Sequence, residues 1–144
     1  MKKILIDTNA YASFLAGDRA VLDALAETET VYLSIFVLGE LYAGFKGGNR
    51  EIENIAILKK FISKPTVSIL DANNETAEIF GMLKSALKSA GTPLPINDVW
   101  IAAHAMEIGA VIVTYDRHFA RVPGIRLWSR VRQTGSGSGP MLLT

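Results

Sequence analysis

The chain has no cysteine among its 144 residues, which excludes disulfide staples, thiolate metal sites and a cysteine nucleophile in one step. It has almost no net charge: fifteen Lys and Arg stand against fourteen Asp and Glu, a balance of +1. No overall field draws it onto polyanions, so any nucleic-acid binding must come from a local arrangement of charge. Long apolar runs are missing too. Met1-Lys2-Lys3 looks like the start of a secretory leader, yet Ile4-Leu5-Ile6 stops at Asp7, short of the roughly 7 to 15 apolar residues such a leader needs. No other uncharged run approaches the roughly 18 to 20 residues of a membrane span. The expectation is a soluble, cytoplasmic protein that engages no membrane. No internal repeat is visible.

What is present is a globular composition, 49% hydrophobic and 20% charged, long enough for one domain with its own core. Short β-branched and leucine runs at 3–6, 31–34, 66–70 and 110–114 read as strands, the first buried on both faces and the fourth buried, with 125–127 as a fifth. Between them lie helical patterns. Segments 11–15 and 19–27 follow the first strand. The second is followed by 35–45, apolar on nearly every side and therefore expected to be buried, and by 50–62, for which Asn49 is the expected cap. Asn73 suits the cap of a helix running to about residue 90. The rigid loop Gly91-Thr92-Pro93-Leu94-Pro95 then leads into a helix carrying Asp98 that closes at Gly109. Strands alternating with helices indicate an α/β domain with a mainly parallel sheet of four or five strands. The domain is expected over residues 1–132. Residues 133–144, with Gly135-Ser136-Gly137-Ser138-Gly139-Pro140, read as a flexible Gly/Ser tail of appended-linker composition, set aside from the fold.

In open parallel sheets, ligands collect beyond the carboxyl ends of the strands. Asp7 follows the first strand and Asp116 the fourth. If those strands are neighbours, the two side chains meet at one edge, and Asp98, at the start of the helix leading into the fourth strand, joins them. Glu40 is the only charge in Phe36-Val37-Leu38-Gly39-Glu40-Leu41-Tyr42-Ala43-Gly44-Phe45, where an ionised carboxylate is costly unless paired or bound to a cation. Taken singly, each acid has an ordinary use: Asp7 and Asp98 as helix caps, Asp116 as a turn opener, Glu40 directed to water. Taken together, four carboxylates at one edge repel one another without a cation. Oxygen-only ligands select a hard divalent ion, Mg²⁺ or Mn²⁺, and such a cluster suits phosphodiester hydrolysis by metal-activated water.

Four stretches together resemble a PIN-domain ribonuclease, and within that superfamily the VapC toxins of type II toxin–antitoxin systems. They are Leu5-Ile6-Asp7-Thr8-Asn9, Glu40 in its apolar helix, Asn97-Asp98-Val99-Trp100-Ile101-Ala102-Ala103-His104-Ala105, and Val113-Thr114-Tyr115-Asp116-Arg117-His118-Phe119. The resemblance covers roughly residues 2 to 128 and implies a three-layer α/β/α domain that binds Mg²⁺ or Mn²⁺ and cuts RNA. It matches Asp7, Glu40, Asp98 and Asp116 to the acidic quartet, Thr114 to a hydroxyl before the last acid, and Asn9 to a polar position beside the first. It further implies a homodimer and a cognate antitoxin docking on apolar helices, with Phe14, Leu15, Leu38, Leu41 and Tyr42 as contacts if they are not core.

Two other readings compete. One is an RNA-binding or protein-interaction module that keeps the fold and does not cut. The other is a phosphotransfer receiver or an aspartate-nucleophile phosphatase, since both place acids at strand ends; the phosphatase pattern needs a second aspartate two residues after the first, where Asn9 stands. Of the remaining residues, His104 reads as a packed histidine and His118 as a loop histidine, with an RNA contact as its alternative. Trp100 and Trp128 are expected to pack. Lys46, Arg50, Arg117 and Arg121 either border the acidic site and hold RNA phosphates or form a solvated face.

Overall fold

The computed structural model describes residues 1–129 and 141–143. The chain runs β1 (Lys3–Ile6), α1 (Thr8–Leu15), α2 (Arg19–Glu27), β2 (Thr30–Ser34), α3 (Ile35–Phe45), α4 (Glu51–Ile62), β3 (Val67–Leu70), α5 (Asn74–Ser89), α6 (Ile96–Ile108), β4 (Val111–Val113), a 3₁₀ turn (Arg117–Arg121), β5 (Arg126–Ser129) and β6 (Met141–Leu143). The order across the sheet is β3-β2-β1-β4-β5-β6, parallel except for β6, which runs antiparallel to β5. Helices on both faces complete the three-layer α/β/α architecture. Of the stretch read as a tail, 133–144, Met141–Leu143 pair with β5 at the sheet's edge, and 133–140 and 144 lie outside the described residues, as do 130–132.

The sheet decides where a site can form. From β1 the chain moves outward through β2 to β3, then returns across the sheet to β4 on the other side of β1. That reversal opens a crevice at the carboxyl ends of β1 and β4, the usual ligand position in a doubly wound sheet. The two strands pair directly, with Ile4 opposite Val111, Leu5 opposite Ile112 and Ile6 opposite Val113. All six are buried, so a one-residue slip would turn their neighbours to the wrong layer.

α6 is the central helix. Val99, Ile101, Ala102, Ala103, His104 and Ala105 are all buried along it, and each large apolar side chain removed from water contributes roughly 1.5–3 kcal/mol. Gly109 ends it in the left-handed conformation at φ 69, which L side chains rarely adopt.

Two local expectations, at Asn49 and at α3, are corrected, and the cap alternative weighed for Asp98 does not apply. Asn49 does not cap α4: Arg50 occupies the cap without a side-chain bond. Instead the Glu51 carboxylate accepts the Gly47 N–H at 2.8 Å, so the first turn reaches back to the preceding loop. Asp98 does not cap α6, since Pro95 holds that position and the Asp98 N–H donates to its carbonyl at 3.0 Å. The apolar α3 is buried on one face only, through Val37, Leu38 and Leu41, while Ile35 and Tyr42 are exposed. An apolar composition all round placed α3 in the interior, whereas the layered sheet leaves its outer face uncovered. The expected cap at Asn73 is present, with Asn73 and Thr76 satisfying each other's backbone N–H groups.

Candidate active site

The Ile6–Val113 register brings the next residues, Asp7 and Thr114, side by side. Asp7 is 4% exposed and its two oxygens are held from opposite sides. The Ala10 N–H donates to Oδ1 at 2.8 Å, making Asp7 the cap of α1, and the Thr114 hydroxyl donates to Oδ2. The same Thr114 Oγ accepts the Asp116 N–H at 2.9 Å, so one buried hydroxyl ties the first acid to the turn that carries the last.

Glu40 reaches the crevice from α3, where the Thr8 hydroxyl donates to its Oε1 at 2.7 Å. Asp98 comes from the first turn of α6. Its carboxylate meets the His118 ring, 2.7 Å from Nε2 to Oδ2, and the other ring nitrogen lies 2.7 Å from Asp116 Oδ1. Asp7, Glu40, Asp98 and Asp116 line one open cleft of about 350 Å³, with Asn9, Thr8 and His118 on its wall.

The electrostatics follow from burial. Loss of water raises the Asp7 carboxyl to about 6, against the lowering effect of its bonds to Thr114 and Ala10, and the Asp98 and Asp116 charges add to the rise. Asp98 is also raised, first by burial, with His118 pulling it down and Asp116 and Glu40 pushing it up. These carboxylates sense one another as like charges. Among the described residues on the cleft wall, His118 is the one able to carry positive charge. An all-oxygen acidic set with this deficit of positive charge fits a hard divalent ion. Asp98, Asp116 and His118 also present ligand atoms within 4.8 Å of one another.

Thr8 and His118 are the wall residues that sequence reasoning underrated. Thr8 stands beside Asp7 in the Asp7-Thr8-Asn9 turn, the signal that was available. For His118 the available signal was its place two residues after Asp116, whose carboxylate its ring meets, whereas its contact with Asp98, 20 residues away on another element, left no trace in the sequence. Other expectations divide. His104 is fully buried, bonded to Ser34 Oγ at 2.9 Å and the Asp71 carbonyl at 3.1 Å, and burial lowers its pKa. Trp100 stacks between Phe36 and Phe80, and Trp128 is buried against Tyr115. Lys46 and Arg50 pair with Glu51 and Glu53 away from the cleft, Arg121 donates to the Pro93 carbonyl at 3.4 Å, and Arg117 is exposed.

The sequence pattern of the PIN domain matches residues 4–125, and the chain belongs to this family. Its relatives within it are VapC ribonucleases. It is 35% identical over 101 residues to the tRNA(fMet)-specific endonuclease VapC of Salmonella typhimurium, covering 69% of this chain and 75% of that protein. It is 32% identical over 131 residues to Ribonuclease VapC2 of Haemophilus influenzae, covering 88% and 96%. Among solved structures, DNA-bound VapBC from Salmonella typhimurium superposes with a TM-score of 0.78 at 31% identity, covering 88% of this chain and 97% of that one.

Proposed function

We propose that the protein is a divalent-metal-dependent endoribonuclease, the toxin of a type II toxin–antitoxin pair, acting in the cytoplasm as a homodimer. The observation that carries the reading is the convergence of Asp7, Glu40, Asp98 and Asp116 on one cleft at the switch point of the sheet. These four carboxylates would hold Mg²⁺ or Mn²⁺. When bound, such an ion polarises a phosphate and lowers the pKa of a coordinated water.

The chain's own residues set up that chemistry in separable ways. Thr114 and the Ala10 amide orient Asp7, so its buried carboxylate needs no rearrangement before use. Thr8 fixes Glu40 at the opposite wall. The 3₁₀ turn after β4 places Asp116, whose backbone N–H is tied to Thr114. Asn9 is exposed at the cleft, where an amide can donate to a phosphate oxygen and accept from a 2′-hydroxyl. The cleft is open and polar, as a site for an extended polyanion must be.

An antitoxin partner is supported by the neighbouring VapBC structures. Leu15 and Tyr42 are 40% and 36% exposed, whereas Leu38 and Leu41 are core, each 5% exposed. The partner surface is therefore assigned to Leu15 and Tyr42, with half-buried Phe14 beneath. Among the described residues no helix is long and apolar enough to cross a membrane.

The test is RNA cleavage with Mg²⁺ or Mn²⁺ by the wild type and by Asp98→Asn, with initiator tRNA as one substrate because the Salmonella relative bears that name. Metal-dependent cutting by the wild type and its loss in the variant are expected. Equal cleavage by both proteins overturns the reading.

A further inference from the structure

We propose that the groove beside the cleft, between the C-terminal half of α5 and the loop leading into α6, is a nucleotide subsite for the substrate RNA, taking one base against an apolar floor and the adjoining phosphates on Lys84 and Lys88. The inference rests on the RNA reading above and adds where the strand runs once it leaves the four carboxylates.

Four carboxylates that suit a cation repel the rest of a polyanion, and a balance of +1 gives the chain no general field to offset them. Cations must stand beside the cleft instead. Lys46 and Arg50 pair with glutamates away from it. Lys84 and Lys88, both exposed on α5, make no ion pair among the described residues. Spaced i and i+4, they lie on one side of the helix, where like charges repel, and no acid stands at i±3 or i±4 from either. Lys88, in the last turn, complements the negative end of the helix. Lys84, a turn earlier, has no such use and is open to an external anion.

Beside the lysines is a cavity of about 220 Å³, lined by Lys84, Leu87, Lys88, Pro93, Leu94 and Val99. Its floor is apolar, since Leu87 and Val99 belong to the buried core. The volume is below the roughly 300–1,000 Å³ of pockets that take drug-sized ligands. It suits a single base, which proteins hold between apolar as well as aromatic side chains. The walls are set before any ligand arrives. The Thr92 N–H donates to the Leu87 carbonyl at 3.0 Å, fastening the loop to the end of α5. Arg121, on the 3₁₀ turn, donates to the Pro93 carbonyl at 3.4 Å, and Pro93 and Pro95 each have a fixed φ.

The same loop is also a wall of the cleft. Pro93 and Leu94 line the groove, whereas Pro95, Asn97 and Asp98 line the cleft. Leu94 and Pro95 are adjacent, with Cα atoms roughly 3.8 Å apart across a trans peptide. A strand lying in the cleft therefore reaches the groove by crossing one loop, and the nucleotide beyond that loop meets Lys84 and Lys88.

Fluorescence anisotropy with a labelled single-stranded RNA, on the full chain in EDTA across a salt series, tests this. For single strands the logarithm of affinity falls with that of salt by about 0.7 per phosphate neutralised. The double variant Lys84→Gln/Lys88→Gln should bind about tenfold more weakly and lower that slope by about 1.4, the equivalent of two contacts. Leu94→Ser removes a base contact and no charge, so it should weaken binding by about tenfold with the slope unchanged. Lys59→Gln/Lys60→Gln, exposed on α4, should match the wild type. With Mn²⁺, the Lys84→Gln/Lys88→Gln protein should show a raised KM for RNA at unchanged kcat, the mark of lost uniform binding. Wild-type affinity and slope in that protein, an equal loss in the α4 control, or a fall in kcat at unchanged KM overturns the inference and leaves the nuclease reading standing. Wild-type affinity in Leu94→Ser overturns the base subsite. If the Lys84→Gln/Lys88→Gln protein keeps its RNA but loses self-association in analytical ultracentrifugation, the groove belongs to a second copy and the inference falls. No RNA binding by the wild type at any salt also overturns it, while the cleavage comparison with Asp98→Asn decides the nuclease reading separately.

Discussion

Thr114 and Asp7 lie 107 residues apart in sequence, yet the hydroxyl of one donates to the carboxylate of the other inside the domain. Because the same hydroxyl accepts from the Asp116 amide, Thr114 is the joint between the two strand ends that build the cleft. Thr114→Val keeps the shape and removes both bonds. It should lower stability by about 1–3 kcal/mol, the cost of leaving buried polar groups unpaired, and lower RNA cleavage more than substrate affinity. Denaturant unfolding and a kcat against KM comparison check it, and a variant with wild-type stability and kcat would show that the joint is dispensable.

The raised carboxyl of Asp7 gives a pH prediction for the metal-free protein. Its pKa is about 6 in the fold against an ordinary 3.8, so between those values the folded state holds more of the proton. The stabilisation is complete below the ordinary value and is lost as pH rises through about 6. Asp7→Asn removes this dependence and should be more stable than the wild type at pH 7.5 by roughly 3 kcal/mol, at 1.36 kcal/mol per unit. The gap should vanish toward pH 4. Thermal unfolding without metal across that range measures it, and a wild type more stable than the variant at pH 7.5 would contradict it.

Millimolar Mn²⁺ should largely close that gap. A ligand that binds the folded state stabilises by mass action, about 2.7 kcal/mol at a hundredfold excess over Kd. The wild type should gain in melting temperature while Asp7→Asn gains much less. Identical shifts in both proteins would place the ion elsewhere.

His104 titrates in the opposite sense. Burial holds its pKa below 6.5, so the unfolded chain takes the proton first. Its contribution is present above 6.5 and is lost as pH falls. His104→Leu should show a weaker loss of stability on acidification below pH 6.5. At neutral pH it should be destabilised by about 1–3 kcal/mol, because the Ser34 hydroxyl and the Asp71 carbonyl lose their partner. Unfolding at pH 5.5 and 7.5 separates the two effects.

Tyr42→Lys and Leu15→Lys probe the exposed side of α3 and α1. Exposed positions of this kind usually change stability by within about 0.5 kcal/mol, so folding and RNA cleavage should survive while inhibition by the antitoxin fails. Inhibition assays with the co-expressed antitoxin decide, and full inhibition of both variants would move the partner surface elsewhere.

Much of this architecture was legible in the chain because its signals are local. Short continuous apolar runs such as Val111–Val113, bounded by turn residues, read as buried strands, and the first and fourth end at polar residues, so Asp7 and Asp116 share one edge once those two strands are neighbours. Glu40 stood out as a lone charge in an apolar helix, and Asn73 as a cap with its partner three residues on. The errors have a common physical cause. The absent cap at Asn49 and the open face of α3 depend on where neighbouring elements lie, and propensity carries no information about neighbours.

The sequence by itself determined the kinds of elements, the carboxyl edge as the seat of chemistry and the four acids gathered there, since strand ends and side-chain charge are written residue by residue. Only the tertiary structure decided what those acids touch. Asp98 left the role of helix cap and faced a histidine 20 residues on, Thr8 and Thr114 became the hydroxyls that orient Glu40 and Asp7, and burial raised the Asp7 carboxyl to about 6. Hydrogen-bond partners and desolvation are set by distances across the fold, and those distances exist only once β1 and β4 have paired.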